Sequence, residues 1–164
     1  VSDKNHGTLD NASGVAAVLD AASLIPATAR VGVVVSDAEE LAVAGVRAWC
    51  RSRQPAIALN CDSVDDDGPL LAMYSRSSPA EVVSHLQAVA KANGETIRVT
   101  RLIPGILTDH VPLAAAGWQA LTLSRGTFRT LQRIHTHRDT LDWMSGSGIA
   151  GAARVLAHTA MELD

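Results

Sequence analysis

Apolar positions recur along this chain with two rhythms. Val15, Val18, Leu19 and Ala22 follow helical spacing, and Pro26 stands beyond them as a stop, so residues 13–24 read as a helix. Next, "RVGVVVS" over residues 30–36 is a continuous β-branched run, the mark of a strand buried on both faces. Ser36 and Asp37 offer caps for a helix through Glu39, Leu41, Val43, Val46 and Trp49, ending near the basic Arg51 and Arg53. "AIALNCD", residues 56–62, reads as a short buried strand followed by the acidic turn Asp65-Asp66-Asp67-Gly68, and "LAMYSR" as a third strand. Pro79 opens a helix carrying Val82, Val83, Leu86, Val89 and Ala90, which stops at Asn93-Gly94. "TIRVTRLI", residues 96–103, alternates with period two; residues 109–117 read as a short helix and "QALTLSR", residues 119–125, as another strand. A last helix is expected from about Asp139 or Thr140 to Met161.

Strands separated by helices predict an α/β fold, a layered sandwich around a mixed, mostly parallel central sheet. Ligands of such sheets gather beyond the carboxyl ends of the strands. With 164 residues, 47% of them hydrophobic, and a net charge of -3, the composition is that of one globular domain over residues 1–164. Neither a nucleic-acid partner nor an anionic membrane is suggested by that charge. No apolar run approaches the roughly 20 residues needed to span a bilayer, and no leader pattern follows Val1. Cys50 and Cys61 make neither a disulfide framework nor a CxxC metal pattern, so they read as buried free thiols.

Acidic residues and one histidine cluster fall at strand ends or loops: Asp10, the "DAEE" of residues 37–40, Asp62, and "IHTHRDT" after the last strand. Each has a structural reading when taken singly. Asp10 or Ser13 would cap the first helix, Glu39 and Glu40 would complement a helix dipole, and Asp62 would start a turn. Together they form a set of carboxylates and an imidazole, the donors that zinc uses at catalytic sites. Two consecutive glutamates at a helix start diverge by about 100 degrees, so one can face a metal while the other faces its water.

The runs "DNASGVA", "DAEE" with "LAVAGVRAW", "LNCD", "TDHVPLAAAGWQAL" and "IHTHRDTLD" resemble, in the same order, the zinc aminopeptidases of the M28 type. That resemblance implies a zinc-dependent exopeptidase fold and hydrolysis of a peptide with a free N-terminus. It implies Glu39 as general base, Asp10 as a carboxylate bridging two zinc ions through a loop with a cis bond to Asn11, Glu40 and His135 as ligands of one ion, and Asp62 as a ligand of the other. The small residues after Asp10 would let the first helix pack close to the metals.

One further ligand of the family, a histidine in an HxD motif upstream of the DNxSG run, has no match; only His6 precedes Asp10. The expectation is a chain that starts inside its domain, past missing strands, with one zinc or partial occupancy where that ligand is absent and two in the complete domain. Ile134 stands where many members have tyrosine and would wall the substrate pocket. His110 resembles a loop near the active site, while Asp109 and His110 equally suit the cap of the short helix they open. His85, His137 and His158 are read as unrelated to the metals. Two alternatives stay open: a glutaminyl-cyclase-like acyltransferase with one zinc on Asp10, Glu40 and His135, and a peptidase-fold binding module without catalysis. Family members are often secreted or membrane-associated, and compartment and oligomeric state stay open.

Overall fold

A computed structural model describes residues 6–103 and 105–164 of the chain. Its sheet has four strands: β1 (Ile57–Val64), β2 (Leu70–Tyr74), β3 (Ile97–Arg101) and β4 (Gln119–Arg125), in the order β1-β4-β2-β3. β1 runs parallel to β4 and β2 parallel to β3, while β2 and β4 are antiparallel. The sheet is therefore mixed, with its two halves pointing opposite ways.

Alternation along the strands builds a core on each face. In β4, Leu121 and Leu123 point into a cluster with Val82, Leu86, Val155 and Leu156, whereas Ala120 points to the other side, with Val46, Cys50 and Leu113. The first side is covered by α1 (Gly14–Leu24), α3 (Ala80–Ala92) and α6 (Ser147–Glu162); the second by α2 (Ala44–Cys50) and α4 (His110–Ala115), and the short α5 (Phe128–Leu131) follows β4. Three layers result. Cys50 and Cys61 are buried free thiols in opposite cores, and burial pushes the Cys61 thiol up to about 12.

Three expectations need correction. Residues 30–36 form no strand: Val31, Val33, Val34 and Val35 are exposed, Val35 by 62%. β-Branched residues favour a pleated surface only where a neighbouring strand and a covering layer complete it. Here the segment lies instead along one wall of a cleft of about 630 Å³, whose opposite wall includes Ile57 to Cys61 of the edge strand β1. The helix expected from Ser36 begins only at Ala44, because Ala38, Ala42 and Val43 all take positive φ. That conformation is incompatible with a continuing right-handed helix.

The last helix starts at Ser147 rather than near Asp139, after a 3₁₀ turn at Leu141–Trp143. Its N-terminus is held by Asp66, whose carboxylate accepts from Gly148 N at 2.9 Å and Gly146 N at 3.3 Å. Burial pushes the Asp66 carboxyl up, and the amide bonds from Gly148, Ser145 and Gly146 outweigh it and leave the group below its ordinary value. Helix α1 buries Gly14, Ala17 and Ala21, not the larger Val15 and Leu19. Small residues let α1 lie close to α6, and Val15 and Leu19 are left to line a second cavity.

Candidate metal centre

Asp10 sits in the turn Thr8–Ser13 ahead of α1, and its peptide bond to Asn11 is cis. Asn11 ties this turn to the end of β1: its Oδ1 accepts from Gly14 N at 3.0 Å and Ser63 N at 3.2 Å, while its Nδ2 donates to Cys61 O at 3.2 Å. Ser13 Oγ donates to Leu9 O at 2.8 Å and accepts from Val64 N at 2.9 Å. A Cβ on Gly14 would meet Asn11 Oδ1 at 2.1 Å and Cys61 O at 2.5 Å, so only glycine permits this approach. Small residues after Asp10 thus bring its turn against the strand that carries Asp62.

Asp62 lies where β1 loses register with β4, between Cys61 and Val64, with Ser63 at φ 55. Such an irregularity re-aims a side chain at the end of a strand. Glu39 and Glu40 do not open a helix; they occupy the turn before α2, closed by the 2.7 Å bond from Val43 N to Glu39 O. A Cβ on Gly45 would meet Asp37 O at 2.2 Å, so glycine is what lets this acidic turn fold back on α2.

The turns of Asp10 and Glu40 converge with the loop that carries His135. His135 Nε2 lies 3.0 Å from Asp10 Oδ2, and its Nδ1 lies 3.5 Å from Glu40 Oε1. Asp10, Glu40 and His135 each offer a ligand atom, and those atoms all lie within 4.8 Å of one another. His135 itself has φ 60, a left-handed conformation that is uncommon outside glycine and recurs at functional loops. Two carboxylate oxygens and one imidazole nitrogen at this spacing fit a zinc ion with an open coordination position. Asp62 and Glu39 stay outside that group, yet with Asp10 and Glu40 they line one cavity of about 590 Å³, whose apolar wall includes Val15, Ala16 and Leu19.

Burial, and then the charges of Asp62, Glu40, Asp10 and Asp109, push Glu39 up to about 7. Burial, followed by the charge of Asp10, pushes Asp62 up to about 6 despite a hydrogen bond from Ser63. Asp10 is raised by burial, with His135 opposing. This crowding of negative charge is what a bound cation would relieve.

Two residues expected at the pocket do not line this cavity. His110 is fully buried; its Nδ1 is 2.7 Å from both Thr108 Oγ1 and Thr122 Oγ1, and burial pushes it down to about 4. It belongs to the layer under the sheet, and neither it nor the half-buried Ile134 lines the cavity. Its neighbour Asp109 does line it; burial raises its carboxyl although Ser36 Oγ donates to it. The "TDH" run resembled a loop near the active site and equally suited a cap; it is Asp109, not His110, that reaches the cavity. His6 is exposed and lies outside the ligand group. His85 pairs with Glu162 at 3.1 Å and His158 contacts Asn93 at 3.1 Å, both away from the centre.

The family model for Peptidase family M28 matches residues 1–160. No curated protein sequence matches the chain significantly. Among solved structures, an aminopeptidase from Aneurinibacillus sp. strain AM-1 aligns with TM-score 0.77 and 20% identity over 99% of this chain and 41% of that one. A zinc aminopeptidase from Bacillus subtilis gives 0.77 and 20% over 98% and 43%. The Legionella pneumophila LapA aminopeptidase gives 0.79 and 16% over 99% and 48%. At these identities the likeness is one of fold, and the chain spans less than half the length of each of these three.

Proposed function

The chain belongs to peptidase family M28, and on that premise we propose that it acts as a zinc exopeptidase, hydrolysing the N-terminal bond of peptides with a free amino terminus. The observation that carries this reading is the mutual approach, within 4.8 Å, of ligand atoms from Asp10, Glu40 and His135. These three would hold one zinc; a second would share Asp10 and draw on Asp62. Bound there, zinc would supply Lewis acidity, lowering the pKa of a coordinated water to about 7 and polarising the scissile carbonyl.

The chain's own groups do the rest. Glu39, which lines the same cavity, takes the proton of the attacking water and passes it to the departing amine. Val15, Ala16 and Leu19 form the apolar wall against which a substrate side chain is placed.

The test is zinc content and hydrolysis of a leucine amide by the wild type and by Glu39→Gln. Turnover in the variant should fall by about 10²–10⁴-fold with bound zinc unchanged. Loss of zinc from the variant would remove Glu39 from the base role, and a zinc-loaded wild type without hydrolysis would refute the peptidase reading. The three-ligand cluster also suits a one-zinc glutaminyl cyclase. One zinc per chain together with pyroglutamate formation would favour that reading, and two zinc ions with amide hydrolysis the peptidase.

A further inference from the structure

Asp139 is 1% exposed, and its carboxylate is turned toward the backbone of the Asp10 turn. Oδ1 accepts from Leu9 N at 2.6 Å and Oδ2 from Asp10 N at 3.2 Å. The backbone of the same residue adds to the junction: its carbonyl accepts from His6 N at 3.2 Å, and its N–H donates to Thr136 O at 3.1 Å. Three hydrogen bonds therefore cross from Asp139 to residues 6–10, and a fourth ties it to the residue after His135. The two ligands whose side chains meet at 3.0 Å, His135 and Asp10, are thus carried by segments that Asp139 joins.

We propose that Asp139 is a positioning residue, fixing the amides of Leu9 and Asp10 so that the Asp10 carboxylate is aimed at Glu40 and His135. The inference rests on the metal reading above. Both partners of the side chain are N–H donors, so both of its oxygens must accept, which a carboxylate does and a carboxamide cannot. An asparagine in the same place would set an NH₂ against one of the two backbone N–H groups. Burying a carboxylate carries a desolvation penalty, and these charge-assisted bonds are what offset it. The groups around a ligand commonly govern metal affinity as strongly as this.

The experiment is Asp139→Asn, with zinc alone as the probe in a chelator competition, the absorption spectrum of the cobalt-substituted protein, and the melting midpoint of the metal-free form. Zinc affinity should fall by about 10- to 100-fold and the cobalt bands should change, with secondary structure retained. Wild-type affinity and cobalt spectrum in the variant would overturn the proposal even if its midpoint dropped, because a merely structural role predicts that pattern. Should the variant fail to fold, hydrogen exchange on the wild type decides the matter. Linkage is reciprocal, so zinc must raise the protection of the Leu9 and Asp10 amides, and unchanged protection would overturn the proposal. A wild type that binds no zinc removes the metal reading and this inference with it; a wild type and variant that bind equally remove this inference alone.

Discussion

Around Asp10 the chain gathers Glu39, Glu40, Asp62 and Asp109 with one exposed imidazole to balance them. Burial and mutual repulsion hold Glu39 at about 7 and Asp62 at about 6 and raise Asp10, while burial alone raises Asp109. A carboxyl whose native value is raised binds its proton more tightly folded than unfolded. Its contribution to stability is therefore full below the unfolded value of about 4 and is lost as pH rises through the native one. His110, pushed down to about 4, works the other way, but the raised carboxyls together outweigh it, so the metal-free protein should melt at a lower temperature at pH 8 than at pH 5, and calorimetry on chelator-treated protein checks the direction; a rise over that interval would contradict this balance. Zinc competes with the same protons, so its stabilisation should grow over the interval in which the metal-free protein weakens. Asp10, Glu39, Glu40, Asp62 and His135 were legible as candidates because short motif strings carry them. Asp109 and Asp139 stand in such strings too, but their roles were not legible: one lines the cavity from an apparent cap position, and the other holds amides 129 and 130 residues away, which no local pattern encodes.

Among the elements, β4 and the segment 30–36 have similarly apolar sequences and opposite fates. β4 has a partner on each side and a helical layer over each face, and Leu123 is fully buried. Residues 31–35 form no strand and are exposed, lining a cleft together with residues of β1. In this chain Leu123→Ala should cost about 2–5 kcal/mol, whereas Val35→Ser should change stability by no more than about 0.5 kcal/mol. Urea midpoints of the two variants, with unchanged slopes, test the contrast; comparable losses would show that the valine run is packed. The same comparison marks how far periodicity could be read. β1, β2, β3, β4, α1, α3 and α4 were visible because their alternation, caps and stops are local. The start of α2 was hidden by left-handed residues that are not glycine, and the start of α6 by the Asp66 bonds that capture its N-terminus from another loop.

For the molecule as a whole, the proposed ligands come from the turn before α1, the turn before α2 and the loop after β4, of which the first and last are already tied by Asp139. A cation held by Asp10, Glu40 and His135 would cross-link all three. Because such a site exists only in the folded chain, binding energy appears as folding energy: at free zinc 100-fold above Kd the gain is about 2.7 kcal/mol. For a domain of this size that corresponds to a midpoint rise on the order of 5–10 °C. His135→Ala should remove most of this rise while leaving the metal-free midpoint close to that of the wild type, since the side chain is 55% exposed and contributes little to packing. Calorimetry at buffered free zinc measures both quantities. A wild-type midpoint insensitive to zinc, or an equal rise in His135→Ala, would mean that the three loops do not share an ion, and the approach of their side chains would then be no more than a surface ion-pair cluster.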